Sequence, residues 1–184
     1  MQKKRLLDGN KFDLTIERLC HELLENHGDF SNSAIIGIQP RGTLLSDRIV
    51  SVLNELNPEL SITYGKLDIT FYRDDFRRKA LPLNPSETEI EFSVEGKKII
   101  LIDDVLYTGR TVRAAMDAVL DFGRPAEVEL LVLIDRRFSR EFPIQSNYTG
   151  KTVDAIDSQK VVVNWAEYGG EDRVTLVNEK KLKK

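Results

Sequence analysis

The sequence has one cysteine, Cys20, and two histidines, His21 and His27, among its 184 residues. A single cysteine cannot form a disulfide within the chain, so we expect no disulfide framework and a reducing, cytoplasmic setting. The two histidines lie in one segment and do not have the spacing of zinc ligands. These shortages exclude a disulfide-stabilised secreted domain and give no sign of a structural zinc site.

Long apolar runs and a large excess of charge are also missing. No apolar run is long enough to cross a bilayer, and the N-terminal MQKKRLLDGN lacks the apolar core of a signal peptide. The formal net charge is -3, so only local basic patches could bind nucleic acid. Hydrophobic residues make up 41% of the chain and charged residues 31%, which fits one globular domain with at most a small subdomain.

Apolar periodicity predicts helices that alternate with strands. The predicted helices cover residues 11–26, 44–56 and 110–122, and the predicted strands cover residues 34–38, 98–102 and 127–134. Residues 60–72 are rich in β-branched and aromatic residues, and VVVNW and RVTLV are predicted as short strands near the C-terminus. This order is typical of an α/β domain with a mostly parallel sheet, where ligands bind beyond the carboxyl ends of the strands. The polar motifs QPRG, DDVLYTGRT and DRR all follow predicted strands.

The stretch IILIDDVLYTGRT, residues 99–111, carries the clearest chemistry. Asp103 and Asp104 stand side by side after four apolar residues, and burial of like charges is costly unless something compensates. The following Thr-Gly-Arg-Thr precedes a predicted helix, whose first N–H groups and dipole form an anion site. A ribose with vicinal hydroxyls and a 5′-phosphate would satisfy both features, and Mg²⁺ could also neutralise the aspartates. The alternative is that the aspartates only begin a turn and Thr108 only caps the helix.

This stretch resembles the phosphoribosyl pyrophosphate (PRPP) motif of type I phosphoribosyltransferases. IGIQPRG, DITFYRDD, DDVLYTGRTVRAAMDA, FGRP, LIDR, REFPI and YTGK together are similar to the pyrimidine operon attenuators that are also uracil phosphoribosyltransferases. The resemblance, which covers about residues 12–177, implies a type I phosphoribosyltransferase fold in a single domain over residues 1–184. That fold is α/β, with a mostly parallel central sheet flanked by helices, an arm at about residues 73–92 and a small hood mainly from about residues 142–177.

The resemblance implies an enzyme that makes UMP and pyrophosphate from uracil and PRPP, with Mg²⁺ as cofactor. It also implies a UMP-responsive regulator of pyrimidine gene expression that binds leader RNA, and a homo-oligomer without a membrane partner. Two alternatives stay open: an RNA-binding transcription attenuator with little catalytic role, and a phosphoribosyltransferase for another base.

By the same resemblance, the catalytic residues are Asp103, Asp104, Arg41 and Arg73. The residues implied to bind PRPP are Pro40, Arg41, Gly42, Asp103, Asp104, Val105, Leu106, Tyr107, Thr108, Gly109, Arg110, Thr111 and Arg136. The base contacts Tyr107 and the main chain of Val161, and Mg²⁺ is held mainly by the substrate near the two aspartates, without a dedicated protein site. Simpler alternatives are that Arg41 is a surface residue and that Arg73 pairs with Asp74 or Asp75.

Two residues carry narrower predictions. In relatives that act on 6-oxopurines, an aspartate before Thr-Gly handles a purine ring proton, whereas this sequence has Tyr107, a poor base at neutral pH. The sequence therefore favours uracil over purines. In type I relatives the pyrophosphate loop often contains a cis peptide, which the alignment on Arg41 and Gly42 places between Gln39 and Pro40. We expect a cis bond there, because an X–Pro bond adopts that form at a cost of only about 0.5–1 kcal/mol.

RNA binding would need a basic surface complementary to phosphates. The candidate residues are Lys11, Arg18, His21, Arg137 and Arg140. The first helix also carries the acids Asp13, Glu17, Glu22 and Glu25, a mixture typical of a solvated face. The segment DRRFSRE departs from the family's DRGHRE by one insertion and lacks its histidine. We therefore expect weak or absent RNA binding and an unimpaired enzyme.

Overall fold

A computed structural model of the protein describes residues 3–74, 85–156 and 158–178. Its elements in chain order are β1 (Lys3–Asp8), α1 (Gly9–His27), β2 (Ser33–Ile38), α2 (Gly42–Leu56), β3 (Thr63–Leu67), β4 (Lys98–Leu106), α3 (Arg110–Val119), β5 (Glu127–Arg137), β6 (Tyr148–Asp154), β7 (Gln159–Asn164) and β8 (Arg173–Asn178). Single 3₁₀ turns lie at Thr70–Tyr72, Leu120–Phe122 and Ala166–Tyr168. Within the described ranges, no helix combines the length and the apolar character needed to cross a membrane.

The central sheet has the strand order β3-β2-β4-β5-β6, and each neighbouring pair is parallel. Its three inner strands, β2, β4 and β5, contain continuous apolar runs because helices cover both faces. Ile35, Ile100 and Leu131 face α1 and α2, and the alternate side chains, such as Ile36 and Leu101, face α3. The predicted α/β architecture with a mostly parallel sheet is therefore confirmed.

The smaller sheet joins the two ends of the chain. It has the order β1-β8-β7, with both pairings antiparallel. Its inner face presents Leu7, Val174 and Val163 to the core beside α1. Of the segment predicted as the hood, β7 and β8 lie in this sheet, whereas β6 is an edge strand of the central sheet.

Helix α2 is tied to the smaller sheet by Arg48. The guanidinium forms ion pairs with Glu167 at 2.7 Å and Asp172 at 2.8 Å. It also lies 5.0 Å from the ring centroid of Trp165 and 5.5 Å from that of Phe12, within the range of cation–π attraction. The arginine therefore joins α2, α1 and the turn between β7 and β8 at one point.

Several element boundaries differ from the sequence prediction. Strand β4 extends four residues past the predicted end at residue 102, to Leu106, so the aspartate pair lies within the strand and not after it. Helix α3 ends at Val119 and a 3₁₀ turn replaces its predicted last turn. Strands β1 and β6 were not predicted, because their sequences, KKRLLD and YTGKTVD, are too polar to show strand periodicity. Part of the predicted arm, residues 75–84, and the lysine-rich end, residues 179–184, lie outside the described residues.

Candidate functional site

Three loops meet at the carboxyl ends of β2, β4 and β5. They contain residues 39–42, 107–110 and 138–144, so the structure brings QPRG and DDVLYTGRT together. The DRR motif lies within β5, which extends three residues past its predicted end at residue 134, and it leads into the third loop. Two cavities open here, with volumes of about 360 and 310 Å³, and both are lined by Val105 and Tyr107. Arg41, Asp104 and Arg136 line the first cavity, and residues 108–112 line the second with Arg73, Asp103 and Glu141.

Asp103 and Asp104 are both almost fully buried, at 7% and 6% exposed. The Asp104 N–H donates to Asp103 Oδ1 at 2.9 Å, whereas Asp104 Oδ2 is buried without a hydrogen-bond partner. Burial and then the adjacent Asp104 charge raise the pKa of Asp103 well above its usual value. Burial also raises the pKa of Asp104, although the charge of Arg41 opposes the shift. Two carboxyl groups are thus kept out of water with too few partners, as expected where a ligand supplies the missing ones.

Two arginines face this pair from opposite loops. Arg41 Nη1 lies 3.9 Å from Asp104 Oδ2, and its side chain is 57% exposed. Arg73 Nη1 donates to Thr111 Oγ1 at 3.4 Å, and its charge acts to lower the pKa of Asp103. The predicted Arg73–Asp75 alternative lies partly outside the described residues, and Asp74 forms an ion pair with Arg110.

The loop at residues 39–42 lies against β4. The bond between Gln39 and Pro40 is cis, as the sequence predicted. A Cβ added to Gly42 would lie 2.3 Å from the Ile102 carbonyl oxygen and 3.1 Å from Asp103 Cα. Glycine is therefore required for the backbone of this loop to approach the aspartate strand so closely.

The loop at residues 107–110 is held in place by hydrogen bonds from residues 140–144. Gly109 directly precedes α3, and its φ of 89° lies in the left-handed region that favours glycine. The N–H groups of Glu141 and Phe142 donate to the Thr108 carbonyl at 2.9 and 3.1 Å. The charge of the Arg110 side chain is paired with Glu141, to whose Oε2 the Arg110 Nε donates at 2.7 Å. The hydroxyls and N–H groups of the loop are therefore what it offers to an anion, in line with the resemblance.

The two residues implied to contact the base, Tyr107 and Val161, line one cavity together with Arg136, which was implied to bind PRPP. The guanidinium of Arg136 lies 4.0 Å from the Tyr107 ring centroid, and Arg136 is only 4% exposed. Arg136 Nη2 donates to the Ile156 carbonyl at 3.1 Å, and Arg136 Nε is buried without a partner. Val161 lies in the same cavity, on β7. The larger cavity is therefore bounded by a cation stacked on a ring and by the edge of the smaller sheet.

The residues predicted to bind RNA are mostly engaged within the chain. Arg18 pairs with Glu22 and donates to the carbonyls of Thr149 and Gly150 at 3.0 and 2.8 Å. Arg137 pairs with Asp154 at 2.6 Å, whereas His21 is exposed on α1. Arg140 contacts the Tyr107 carbonyl and the Asp135 carboxylate, so it lies at the substrate loops.

Sequence reasoning missed several residues of the site. Gln159, Lys160 and Glu141 line the cavities, and their roles depend on β7 and the residue 138–144 loop folding back over the sheet. Gln159 and Lys160 are ordinary polar residues outside a motif, and Glu141, although it belongs to the REFPI motif, was given no role there. In the part of the chain that is described, no group of three or more His, Cys, Asp or Glu side chains is arranged to hold a metal ion.

The solved structures that this chain is similar to have the same fold. A hypoxanthine phosphoribosyltransferase from Staphylococcus aureus superposes with a TM-score of 0.69 at 17% identity, over 97% of this chain and 93% of that one. The hypoxanthine phosphoribosyltransferase of Trypanosoma cruzi superposes with a TM-score of 0.71 at 14% identity, over 96% and 97% of the two chains. At these identities the similarity establishes the type I phosphoribosyltransferase fold and nothing about the substrate.

Sequence relatives are more similar. The chain is 41% identical to the bifunctional protein PyrR of Elusimicrobium minutum, over 95% of this chain and 97% of that protein. It is 42% identical to the bifunctional protein PyrR of Desulfosudis oleivorans, over 96% and 97% of the two chains. The model of the phosphoribosyl transferase domain matches residues 2–167. Since these matches span nearly the whole chain, the protein belongs to the phosphoribosyltransferase family and, within it, to the bifunctional PyrR group.

Proposed function

We propose that this phosphoribosyltransferase transfers ribose 5-phosphate from PRPP to uracil, forming UMP and pyrophosphate. One observation carries the proposal: a buried, under-partnered pair of aspartates lies beside a helix-starting Thr-Gly-Arg-Thr loop, in a chain of this family. The acids suit the ribose hydroxyls, which can donate hydrogen bonds, and the loop suits the 5′-phosphate. PRPP carries both groups at the separation that one sugar sets.

Pyrophosphate is assigned to the loop at residues 40–42. Pro40 has no N–H, so the backbone donors are those of Arg41 and Gly42, and the exposed Arg41 guanidinium adds positive charge. The close approach of Gly42 to β4 brings this loop next to the strand that carries the aspartate pair. In this proposal the leaving group lies between Arg41 and the sugar.

The residues present fit Mg²⁺. Asp104 Oδ2 is buried without a hydrogen-bond partner, and carboxylate oxygens are the protein ligands that Mg²⁺ prefers. Asp103 and Asp104 would hold the ion together with oxygens of PRPP, which supply most of its ligands. When bound, Mg²⁺ neutralises charge on the pyrophosphate group.

In the reaction, the bond between ribose C1′ and the pyrophosphate oxygen breaks, and pyrophosphate leaves with the electron pair. A bond forms between C1′ and N1 of uracil, and the N1 proton is released. Positive charge that builds on the ribose is stabilised by the nearby aspartates, and charge on the leaving group is stabilised by Arg41 and Arg73. The effect of the aspartates is strengthened by their burial, because charges interact more strongly away from water.

Uracil is favoured by the residues that bound the base cavity. Tyr107 occupies the position where purine-specific relatives have an aspartate, and its ring is stacked by Arg136. A carboxylate that could exchange a purine ring proton is therefore replaced by a phenol. The buried Arg136 Nε, which has no partner, offers a donor to a carbonyl oxygen of the base.

The test is a pyrophosphate-release assay with PRPP and Mg²⁺, run in parallel with uracil, hypoxanthine, guanine and orotate. We expect turnover with uracil and none above background with the purines. The Asp104→Asn variant serves as the matched control, because release that depends on the site must fall in it. A larger specificity constant for any purine would overturn the assignment to uracil.

A second function, regulation of pyrimidine genes through leader RNA in response to UMP, is implied by the resemblance. Three of its five candidate residues, Arg18, Arg137 and Arg140, are paired with carboxylates. Pairing lowers the positive charge that these residues can present to phosphates. We therefore propose the enzyme as the main activity and expect weak RNA binding.

A further inference from the structure

One carboxylate joins two segments of the chain beside the candidate site. Asp68 follows β3, and its Oδ1 accepts hydrogen bonds from the Thr70 N–H at 2.8 Å and from Thr70 Oγ1 at 2.6 Å. Its Oδ2 accepts from the Ser86 N–H at 2.8 Å, and the Asp68 N–H donates to Thr88 Oγ1 at 3.1 Å. Asp68 thus ties the chain leaving β3 to a segment 18 residues further on.

The first of these segments leads directly to Arg73. Thr70 begins the 3₁₀ turn Thr70–Tyr72, and Arg73 is the next residue. The turn is also fixed from the other side, where the Tyr72 hydroxyl contacts Asp121. Because the turn is only three residues long, its orientation fixes the position of the Arg73 backbone. From there the Arg73 side chain reaches Thr111, and its charge acts on Asp103.

The second segment is joined to the loop assigned to pyrophosphate. Gln39 Nε2 donates to the Glu87 carbonyl at 2.6 Å, one residue past Ser86. The Gln39 N–H donates to the Leu67 carbonyl at 2.9 Å, one residue before Asp68. Leu67 and Glu87, which are next to Asp68 and Ser86 in the chain, therefore both hold Gln39 by hydrogen bonds. Gln39 directly precedes the loop at residues 40–42.

We propose that Asp68 is a positioning residue that orients Arg73 toward PRPP and holds it in register with the pyrophosphate loop. Asp68 acts through the Thr70–Tyr72 turn and the Ser86 segment and does not touch the substrate. The inference rests on the proposed function, in which Arg73 serves the transfer of ribose 5-phosphate.

The experiment is a double-mutant cycle with Asp68→Asn and Arg73→Ala in the full-length protein. Asparagine has one acceptor oxygen and one NH₂ group, so it cannot accept from both Thr70 and Ser86. We measure kcat and KM for PRPP with uracil, the affinity for PRPP with Mg²⁺ by calorimetry, and the melting temperature. Asp47→Asn is the matched control, because the Asp47 carboxylate also accepts bonds from two residues, Tyr64 and Lys66, neither of which belongs to the Thr70–Tyr72 turn or the Ser86 segment.

We expect Asp68→Asn to lower kcat/KM for PRPP by roughly 10- to 100-fold, the scale of a misplaced catalytic group. In the Arg73→Ala background the same change should cost less than about twofold, because its target is gone. Asp47→Asn should leave kcat/KM within about twofold of wild type. If Asp68→Asn melts well below wild type, Thr70→Val, which removes only the hydroxyl donor, replaces it in the cycle.

Two results would overturn the inference: an equal loss from Asp68→Asn in both backgrounds, or kinetics identical to wild type. A wild-type protein that binds PRPP without transferring ribose 5-phosphate to uracil would instead refute the proposed function. In that event the double-mutant cycle uses the affinity for PRPP in place of kcat/KM. Asp68→Asn should then weaken PRPP binding more in the wild-type background than in the Arg73→Ala background. Additive losses in affinity would count against the role of Asp68.

Discussion

At Gly42, the addition of a single methyl group by substitution with alanine should strongly affect the candidate site. Gly42 is the first residue of α2, and alanine normally stabilises a helix relative to glycine by up to about 1 kcal/mol. At this position the added Cβ would lie 2.3 Å from the Ile102 carbonyl oxygen, well inside van der Waals contact. Both the neighbour and the loop are backbone, so no side chain can swing away to make room.

The displacement can be worked from that distance. Without any movement, the alanine Cβ would lie 2.3 Å from Ile102 O, whereas real Cβ contacts are at least 3.0 Å. The loop or β4 must therefore move by about 0.7 Å to accept the methyl group. Displacement of about 1 Å at a reacting centre costs on the order of 100-fold in rate. Overpacking costs roughly 1–3 kcal/mol, which lowers the melting temperature by about 2–4 °C per kcal/mol in a chain of this size.

We therefore expect Gly42→Ala to reduce kcat/KM for PRPP by roughly 10- to 100-fold and to lower the melting temperature by several degrees. The assays are steady-state pyrophosphate release and thermal melting. Gly170→Ala is the matched control, because a Cβ there meets nothing within 4 Å. Wild-type kinetics and melting in Gly42→Ala would refute the argument that the loop must approach β4 this closely.

Three further predictions concern the acids, the base and RNA. Asp104→Asn should lower turnover strongly while raising the melting temperature of the ligand-free protein at neutral pH. Folding raises the pKa of Asp104, so the wild-type protein loses stability as the pH rises above the ordinary aspartate pKa of about 4. The difference in melting temperature between variant and wild type should therefore vanish below about pH 4. A difference that does not change with pH would contradict this reasoning. Tyr107→Asp should weaken the use of uracil, and specificity constants for uracil and hypoxanthine, with Tyr107→Phe as control, measure the effect. Filter-binding titration with the organism's own pyrimidine leader RNA should give weak binding at physiological salt, and tight binding enhanced by UMP would contradict it.

Local patterns in the sequence were sufficient for the helices, the buried strands and the chemistry of the main motif. Strand β2 could be predicted because a strand covered on both faces is a continuous apolar run, and α1 because one face of a helix must be buried. Asp103 and Asp104 stood out because charge directly after such a run is costly to bury. The cis bond at Gln39 and Pro40 was predicted from the motif and the low cost of a cis X–Pro bond.

Other features were decided only by tertiary structure, because they depend on which distant segments meet. The exposed strand β1 exists because it pairs with β8 from the far end of the chain, and its own sequence favours no particular conformation. Arg140 contacts Asp135 and Tyr107 because the residue 138–144 loop folds back under the phosphate loop. Asp68 accepts a hydrogen bond from the Ser86 N–H, 18 residues further along the chain, a contact that no local periodicity encodes. Periodicity records which face of an element is buried, whereas the partner that buries it is determined by long-range packing.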